Sequence, residues 1–465
     1  MHLCRRQQSG RPAALCLAGV LGLAVALRAP LLGGGQIDYD EGVYWQSLRA
    51  LADGHRLFTE VYSSQPPAFL MMLLPFQLLI GGIAAARFGV LGLTVVGIAA
   101  GGRLAWLLAG PWAGVLAAGI LAADPLVFRE SLTLQAEGPA VALALVSLAV
   151  AAEARARDGR TANLLAAGSG AALGLAILTK LLGVAAAPAV ALLLAAPQAG
   201  GLRWGSLAAG TLGGCAAAAA VLLPFAGAWP VVWQEAVGLH VLARAVPVGG
   251  LGEGTVQREL PVAVIGVAGW AAALRSSPHL AAATAAWAVP AGLLLAVQHP
   301  LWPHHVVFVT APLAVAGGGL ARPLRARAGL ALAVGATAVV AGAAGSALYV
   351  RSLQQPASAV RPTVAALRTG TGAGLLVITD DQYAAALAGR DTPPQLVDTS
   401  LVRVRSGDLT TGEVEALARR PDVGAVLLAT GRLADLPGLR GWLAAHFPDS
   451  RDLGGGRVLY LRADR

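Results

Sequence analysis

The chain is poor in charge: of 465 residues, 13% are Asp, Glu, Lys or Arg, against 56% hydrophobic. About a quarter of a typical soluble domain is charged, so this composition cannot coat a water-facing surface and excludes a cytosolic enzyme. Cysteine is scarce. Cys4 precedes the first apolar run, whereas Cys16 and Cys215 lie inside apolar runs, which excludes a disulfide framework. Aromatic residues make up 5% while glycine alone numbers 59, a balance that favours close helix packing through small side chains. Lysine is all but missing: Lys180 is the only one, and every other permanent side-chain cation is arginine.

Long apolar runs are what the chain has in abundance. Stretches of roughly 17 to 23 residues recur from Pro12 to Val350, each long enough to cross a hydrocarbon core of about 30 Å as a helix. Breaks at Gly, Pro and charge place helices at about 12–32, 83–108, 111–128, 138–152, 162–179, 181–197, 204–226, 259–275, 279–298, 304–320 and 328–349. Met1 to Pro30 has the basic start and apolar middle of a signal peptide. Its apolar run is long for one and Arg28 spoils a small-residue cleavage site, so it reads as a retained first helix. The fold class expected is an all-α polytopic membrane protein of about eleven transmembrane helices followed by a small α/β domain. The expected division is 1–350 for the membrane domain and 351–465 for the α/β domain.

The net charge of +9 implies no nucleic acid, because the arginines sit in short loops between apolar runs, where they act as topology signals and contacts to membrane lipids. Pro67 to Gly82 is short for a span and contains Pro75. If it does not cross, one side receives Arg5, Arg6 and Arg11, Arg103, then Arg155, Arg157 and Arg160, then Arg203 and Arg275, and lastly Arg322, Arg325 and Arg327. By the positive-inside rule that side is cytoplasmic. Pro67 to Gly82 is therefore read as a juxtamembrane or re-entrant helix. The amino terminus is then cytoplasmic and the C-terminal domain extracytoplasmic, in a multi-pass protein of the plasma or inner membrane.

The same parity gathers polar features on the extracytoplasmic face: the Asp38, Asp40, Glu41 loop, the turn at Glu137, Lys180, a long loop from Gly227 to Arg258, and the turn from Gln298 to His305. Ionisable groups at membrane depth usually mark function. After Val350 the pattern becomes that of a small α/β domain. Strands are expected at Leu375–Thr379, Gln395–Val397, Val423–Ala429 and Arg457–Leu461, and helices at Gln382–Ala388, Thr411–Arg419 and Leu439–His446.

Three carboxylates lie within Asp38-Tyr39-Asp40-Glu41, after the first span and before an amphipathic stretch from Val43 to Leu51. Such a cluster can hold a general base near a membrane surface, or its acids can cap the next helix. The wider pattern is Asp40-Glu41-Gly42-x-Tyr44, Leu51-Ala52-Asp53-Gly54-His55-x-Leu57-Phe58, Val61-Tyr62 and Gln65-Pro66-Pro67. It continues with Ala86-Arg87-Phe88, Ser131-Leu132-Thr133-x-x-Ala136-Glu137-Gly138-Pro139, Gly174-Leu175-Ala176-x-x-Thr179-Lys180, and His304-His305 ahead of Pro312. In order and spacing this resembles the dolichyl-phosphate-mannose-protein mannosyltransferase superfamily, which includes the bacterial aminoarabinose transferases. Gln65 departs from the Asn or His that often precedes the double proline, and the C-terminal domain matches no member of the family.

That resemblance implies a GT-C glycosyltransferase with an inverting reaction, a polyprenyl-phosphate-linked sugar donor and a lipid, glycan or protein acceptor. It implies Asp40 as base, Glu41 as the residue that orients Asp40 or the sugar, and Tyr44 as a substrate contact. Lys180 is a compact ammonium at a helix end, suited to a lipid phosphate or to snorkelling. Glu137, near a helix start, could cap the helix or hold sugar hydroxyls. Arg129 and Arg258 could hold phosphate or pair with Glu130 and Glu259. His304 and His305 suit the donor phosphate or the shape of its pocket. With His299 they also invite a zinc reading, but no partner cysteine or His-Glu-x-x-His helix accompanies them, so no metal and no cofactor is expected. The competing classes are a secondary transporter, which would carry its ionisable groups in broken helices of repeated halves, and a non-catalytic membrane assembly factor.

Overall fold

The computed structural model describes residues 10–196, 201–252, 254–321 and 328–462, with side chains of 328–334 outside the description. Cys4, Arg5, Arg6, Arg322, Arg325 and Arg327 fall outside the described residues. Among the described residues, eight helices are long and apolar enough to cross a membrane, as expected of a multi-pass membrane protein. Three of the eleven expected spans are shorter. Pro111–Ala123 and Leu181–Ala195 are 10–17 residues long, and the expected 304–320 span is a 3-10 turn Pro303–Val306, a helix Val307–Gly317 and a second 3-10 turn Gly318–Leu320. Pro67 to Gly82 yields the 12-residue helix Ala68–Leu79, about 18 Å long, which is short of a bilayer core.

The chain forms two compact units, one of residues Met1–Leu32, Arg87–Pro224 and Gly250–Arg351, the other of Gly33–Ala86, Phe225–Gly249 and Ser352–Arg465. In the first, small residues allow close backbone approach. A Cβ added at Gly170 would stand 1.7 Å from the Gly210 carbonyl oxygen, and one at Gly269 would stand 2.2 Å from that of Ala316. Arg28 at the end of the first helix is fully buried. Its Nε donates to Ser131 Oγ at 2.8 Å and a terminal nitrogen donates to the Ala122 carbonyl at 2.9 Å, so its donors are satisfied where water is absent.

The second unit contains a four-stranded sheet in the order β1-β2-β4-β3, with β1 Leu376–Thr379, β2 Val423–Leu428, β3 Asp449–Gly454 and β4 Arg457–Leu461. β1 and β2 run parallel, and the other two pairs are antiparallel. The strand expected at Gln395–Val397 is instead a 3-10 turn, Pro394–Leu396, because the prolines at 393 and 394 fix φ and remove ladder donors. The polar strand β3, exposed along nearly its whole length, carries no apolar alternation and escaped the sequence pattern, as did the helices Ala357–Gly370 and Leu401–Ser406.

Two further expectations change. The long loop from Gly227 to Arg258 is largely helical, with helical turns from Trp229 through Ala245. The stretch from Val43 to Leu51 belongs to the helix Asp40–Ala52, in which every residue from Glu41 to Leu48 is buried. It has no solvent face because it packs on two sides: Tyr44 meets Phe69 edge-on at 4.8 Å and Trp45 meets Tyr383 at 5.6 Å.

Candidate functional site

In the first unit the helix Glu137–Arg155 has 19 residues and spans about 28 Å, close to the thickness of a hydrocarbon core. Its two ends differ in chemistry. At the carboxyl end Arg103 pairs with Glu153, Arg203 donates to the carbonyls of Ala154, Arg155 and Arg157, and Arg155 lies 2.8 Å from His279. Three of the loop arginines that the charge argument placed on one side, Arg103, Arg155 and Arg203, thus meet at one end of this helix.

The opposite end gathers four of the predicted binding residues, Glu137, Lys180, His304 and His305. Glu137 opens the helix, and the tight turn before it depends on Gly138, whose Cβ would stand 2.7 Å from the Glu130 carbonyl oxygen. Lys180 ends the helix Gly159–Thr179 in an extended conformation, φ −151 and ψ 127, before a 3-10 run. Gly183 accepts this sharp break, since a side chain there would press within 2.8 Å of the Ala176 backbone. Lys180 Nζ lies 2.8 Å from Glu137 Oε1, and Nε2 of His304 and of His305 lie 3.7 and 3.8 Å from the same oxygen. All four side chains are buried. Glu137 is the first helical residue and Pro139 the third. The carboxylate therefore gains from the positive helix end while its main partner is Lys180.

Each imidazole has its other nitrogen occupied. The Trp302 backbone N–H donates to His305 Nδ1 at 3.3 Å, and the Gln135 amide nitrogen lies 3.3 Å from His304 Nδ1. A neutral ring with an acceptor Nδ1 carries its hydrogen on Nε2, which is the nitrogen facing Glu137. Glu137, His304 and His305 offer three ligand atoms within 4.8 Å of one another. Metal ligation through Nε2 would require His305 to give up the Trp302 N–H and the Gln135 amide to turn its oxygen to His304 Nδ1. As built, the cluster is a set of N–H donors around one carboxylate, suited to an oxyanion that competes for them. Sequence reasoning missed Gln135, although it falls within the Ser131-to-Pro139 motif; only the fold puts it against a histidine 169 positions away.

Arg129 pairs with its neighbour Glu130 at 2.6 Å, both buried. Arg258 donates to Thr255 Oγ1 at 3.3 Å and stacks on Tyr349 at 4.6 Å.

In the second unit the Asp40-Glu41 motif opens the helix Asp40–Ala52. Asp38 Oδ1 accepts from the Asp40 backbone N–H at 3.2 Å, and Glu41 Oε2 accepts from that of Ile37 at 2.7 Å. Asp38 and the fully buried Glu41 thus fix the loop, while Asp40 is half-buried. Gly42 is required by packing: a Cβ there would stand 2.6 Å from the Tyr383 backbone nitrogen. Gln46 and Arg49 extend the same contact, the first donating to the Gln382 and Arg390 carbonyls and the second pairing with Asp391 at 2.6 Å.

No family model and no curated protein matches the chain. Solved structures do. ArnT, the aminoarabinose transferase of Cupriavidus metallidurans, superposes in its apo state with a TM-score of 0.67 at 16% identity, covering 97% of this chain and 99% of that one. The chain has the GT-C fold. The same protein bound to undecaprenyl phosphate gives a TM-score of 0.64 at 17% identity, again covering 97% of this chain and 99% of that one. The Archaeoglobus fulgidus oligosaccharyltransferase tethered to an acceptor peptide gives 0.61 at 15% identity over 89% of this chain and 68% of that one. The GT-C fold thus extends over the α/β segment as well as the helices.

Proposed function

We propose that the chain is a polyprenyl-phosphate-dependent glycosyltransferase that works on the extracytoplasmic face. The observation that carries this reading is the burial of the only lysine beside Glu137, His304 and His305 at one end of a membrane-length helix in a GT-C fold. A sugar on a polyprenyl phosphate has an activated anomeric carbon, because the phosphate departs without strong acid assistance. The acceptor oxygen forms the new bond to that carbon from the opposite face, the bond to the phosphate oxygen breaks, and the phosphate leaves with the electron pair. Inversion follows. Asp40 receives the acceptor hydroxyl proton, Glu41 holds the Asp40 loop, the buried Tyr44 packs its helix against Phe69 rather than meeting substrate, and Lys180 stabilises the charge on the leaving phosphate. The sugar and the acceptor hydroxyl, on a lipid, glycan or protein, are open in this scheme.

The test is transfer from undecaprenyl phosphate carrying radiolabelled mannose, glucose, galactose or arabinose, with donor binding followed separately. Asp40→Asn keeps size and hydrogen bonding but takes no proton, so turnover falls by about two orders of magnitude while donor binding survives. Near-normal transfer by Asp40→Asn and by Glu41→Gln would refute Asp40 as the base, whereas donor binding without any transfer by the wild-type chain would shift weight to a transporter.

A further inference from the structure

We infer that the C-terminal α/β segment positions the Asp40 base, through a clamp that Thr399 and Arg432 close on Tyr39. The inference rests on Asp40 being the base and gives that segment a task in the same site. Tyr39 immediately precedes Asp40. Its hydroxyl accepts the Thr399 backbone N–H at 3.2 Å and lies 3.3 Å from Thr399 Oγ1.

Proton accounting settles the direction of the second bond. Thr399 Oγ1 donates its one hydrogen to the Thr379 carbonyl at 3.2 Å and accepts from Gln382 Nε2 at 2.8 Å. A hydroxyl has one donor and two acceptor positions, so the Tyr39 hydroxyl donates to Thr399 Oγ1. Tyr39 and Thr399 therefore exchange hydrogen bonds in both directions, and Gln382 and Thr379 at the carboxyl end of β1 complete the network. Burial pushes the Tyr39 phenol far above its ordinary range, which keeps it a neutral donor.

The ring is held as well. The Arg432 guanidinium lies 3.8 Å over the Tyr39 ring, in the orientation that attracts a cation to the π face. On the other side of Asp40, Gly42 is pressed against the Tyr383 backbone. Asp40 is thus strung between two points that residues more than 330 positions later hold in place. A base must reach within about 3 Å of the proton it takes, and a displacement of about 1 Å can cost about a hundredfold in rate. Tyr39, Thr399 and Arg432 are positioning residues in this sense.

The test uses the full chain in detergent, with hydrogen exchange of the 38–42 segment beside transfer from the radiolabelled undecaprenyl-phosphate sugars. Tyr39→Phe and Thr399→Val should each speed exchange at 38–42 by about tenfold or more while β2 stays protected. Each should lower kcat by about ten- to a hundredfold with donor KM within about twofold. Exchange and kcat at wild-type levels in both variants overturn the clamp. Should Tyr39→Phe also deprotect β2, the half-exposed Arg432→Gln decides: 38–42 must loosen with β2 intact, and a wild-type pattern overturns the clamp. Asp40→Asn is run in parallel. Full turnover there refutes the base, and the exchange pattern still judges the clamp independently.

Discussion

Lys180 and Glu137 allow a structural cost to be separated from a catalytic one. At 2.8 Å and an effective dielectric of about 20, their gross attraction is about 6 kcal/mol. Lys180→Ala leaves a carboxylate that is 1% exposed without its cation, and breaking a buried pair this way costs about 3–5 kcal/mol of stability. The reaction loses a different quantity. Removing one charge that faces a leaving oxyanion costs about 3–4 kcal/mol of transition-state stabilisation, or about 10²–10³ in kcat. The double variant Lys180→Ala with Glu137→Gln tells the two apart, because the glutamine takes away the stranded charge. Its melting temperature in detergent should return toward the wild-type value, while transfer from the radiolabelled donor stays down by at least about a hundredfold. If the double variant recovers both, Lys180 serves only as the partner of Glu137 and the phosphate assignment is refuted.

Gly42→Ala pushes a methyl group to within 2.6 Å of the Tyr383 nitrogen and should destabilise the second unit by about 1–3 kcal/mol; an unchanged melting temperature would contradict the packing argument. Burial, foremost, raises the Asp381 pKa above 3.8, although its carboxylate accepts from the Ala384 backbone N–H at 3.0 Å. The folded state then holds that proton more tightly than the unfolded one, so stability from this group falls as pH rises beyond about 4. Asp381→Asn keeps the helix cap and should raise the melting temperature at neutral pH, an advantage that disappears as pH approaches the unfolded carboxyl value. Single cysteines at the exposed positions Asp158 and Glu413, in a chain with Cys4, Cys16 and Cys215 replaced by serine, should label from the cytoplasmic and the extracytoplasmic side respectively. Labelling of both from one side would overturn the orientation.

Much of the membrane unit is legible from composition and punctuation. Burying a helix in lipid requires an unbroken apolar run whatever its neighbours, so the spans from Gly82–Ala109 to Pro278–Val297 announce themselves locally. Arginine parity, likewise a property of loop composition, assigned Glu137, Lys180, His304 and His305 to one face, and their side chains do cluster. Local signals misled where a short segment owes its conformation to its surroundings. The prolines before Gln395 turned an expected strand into a 3-10 turn, and β3 pairs through its backbone with no apolar pattern to betray it.

The sequence by itself determined a multi-pass membrane protein with an acidic motif after its first span and a lone lysine at a helix end. Only the tertiary structure decided what those groups touch. Lys180 meets a carboxylate 43 positions earlier in the chain, both histidine rings turn their N–H toward it, and Arg129 pairs with its neighbour Glu130. Tyr39 is tied to Thr399 across 360 positions. Hydropathy and charge are summed residue by residue and so survive in a linear reading. Hydrogen bonds and ion pairs depend on distances of about 3 Å, which exist only once packing has brought distant segments together.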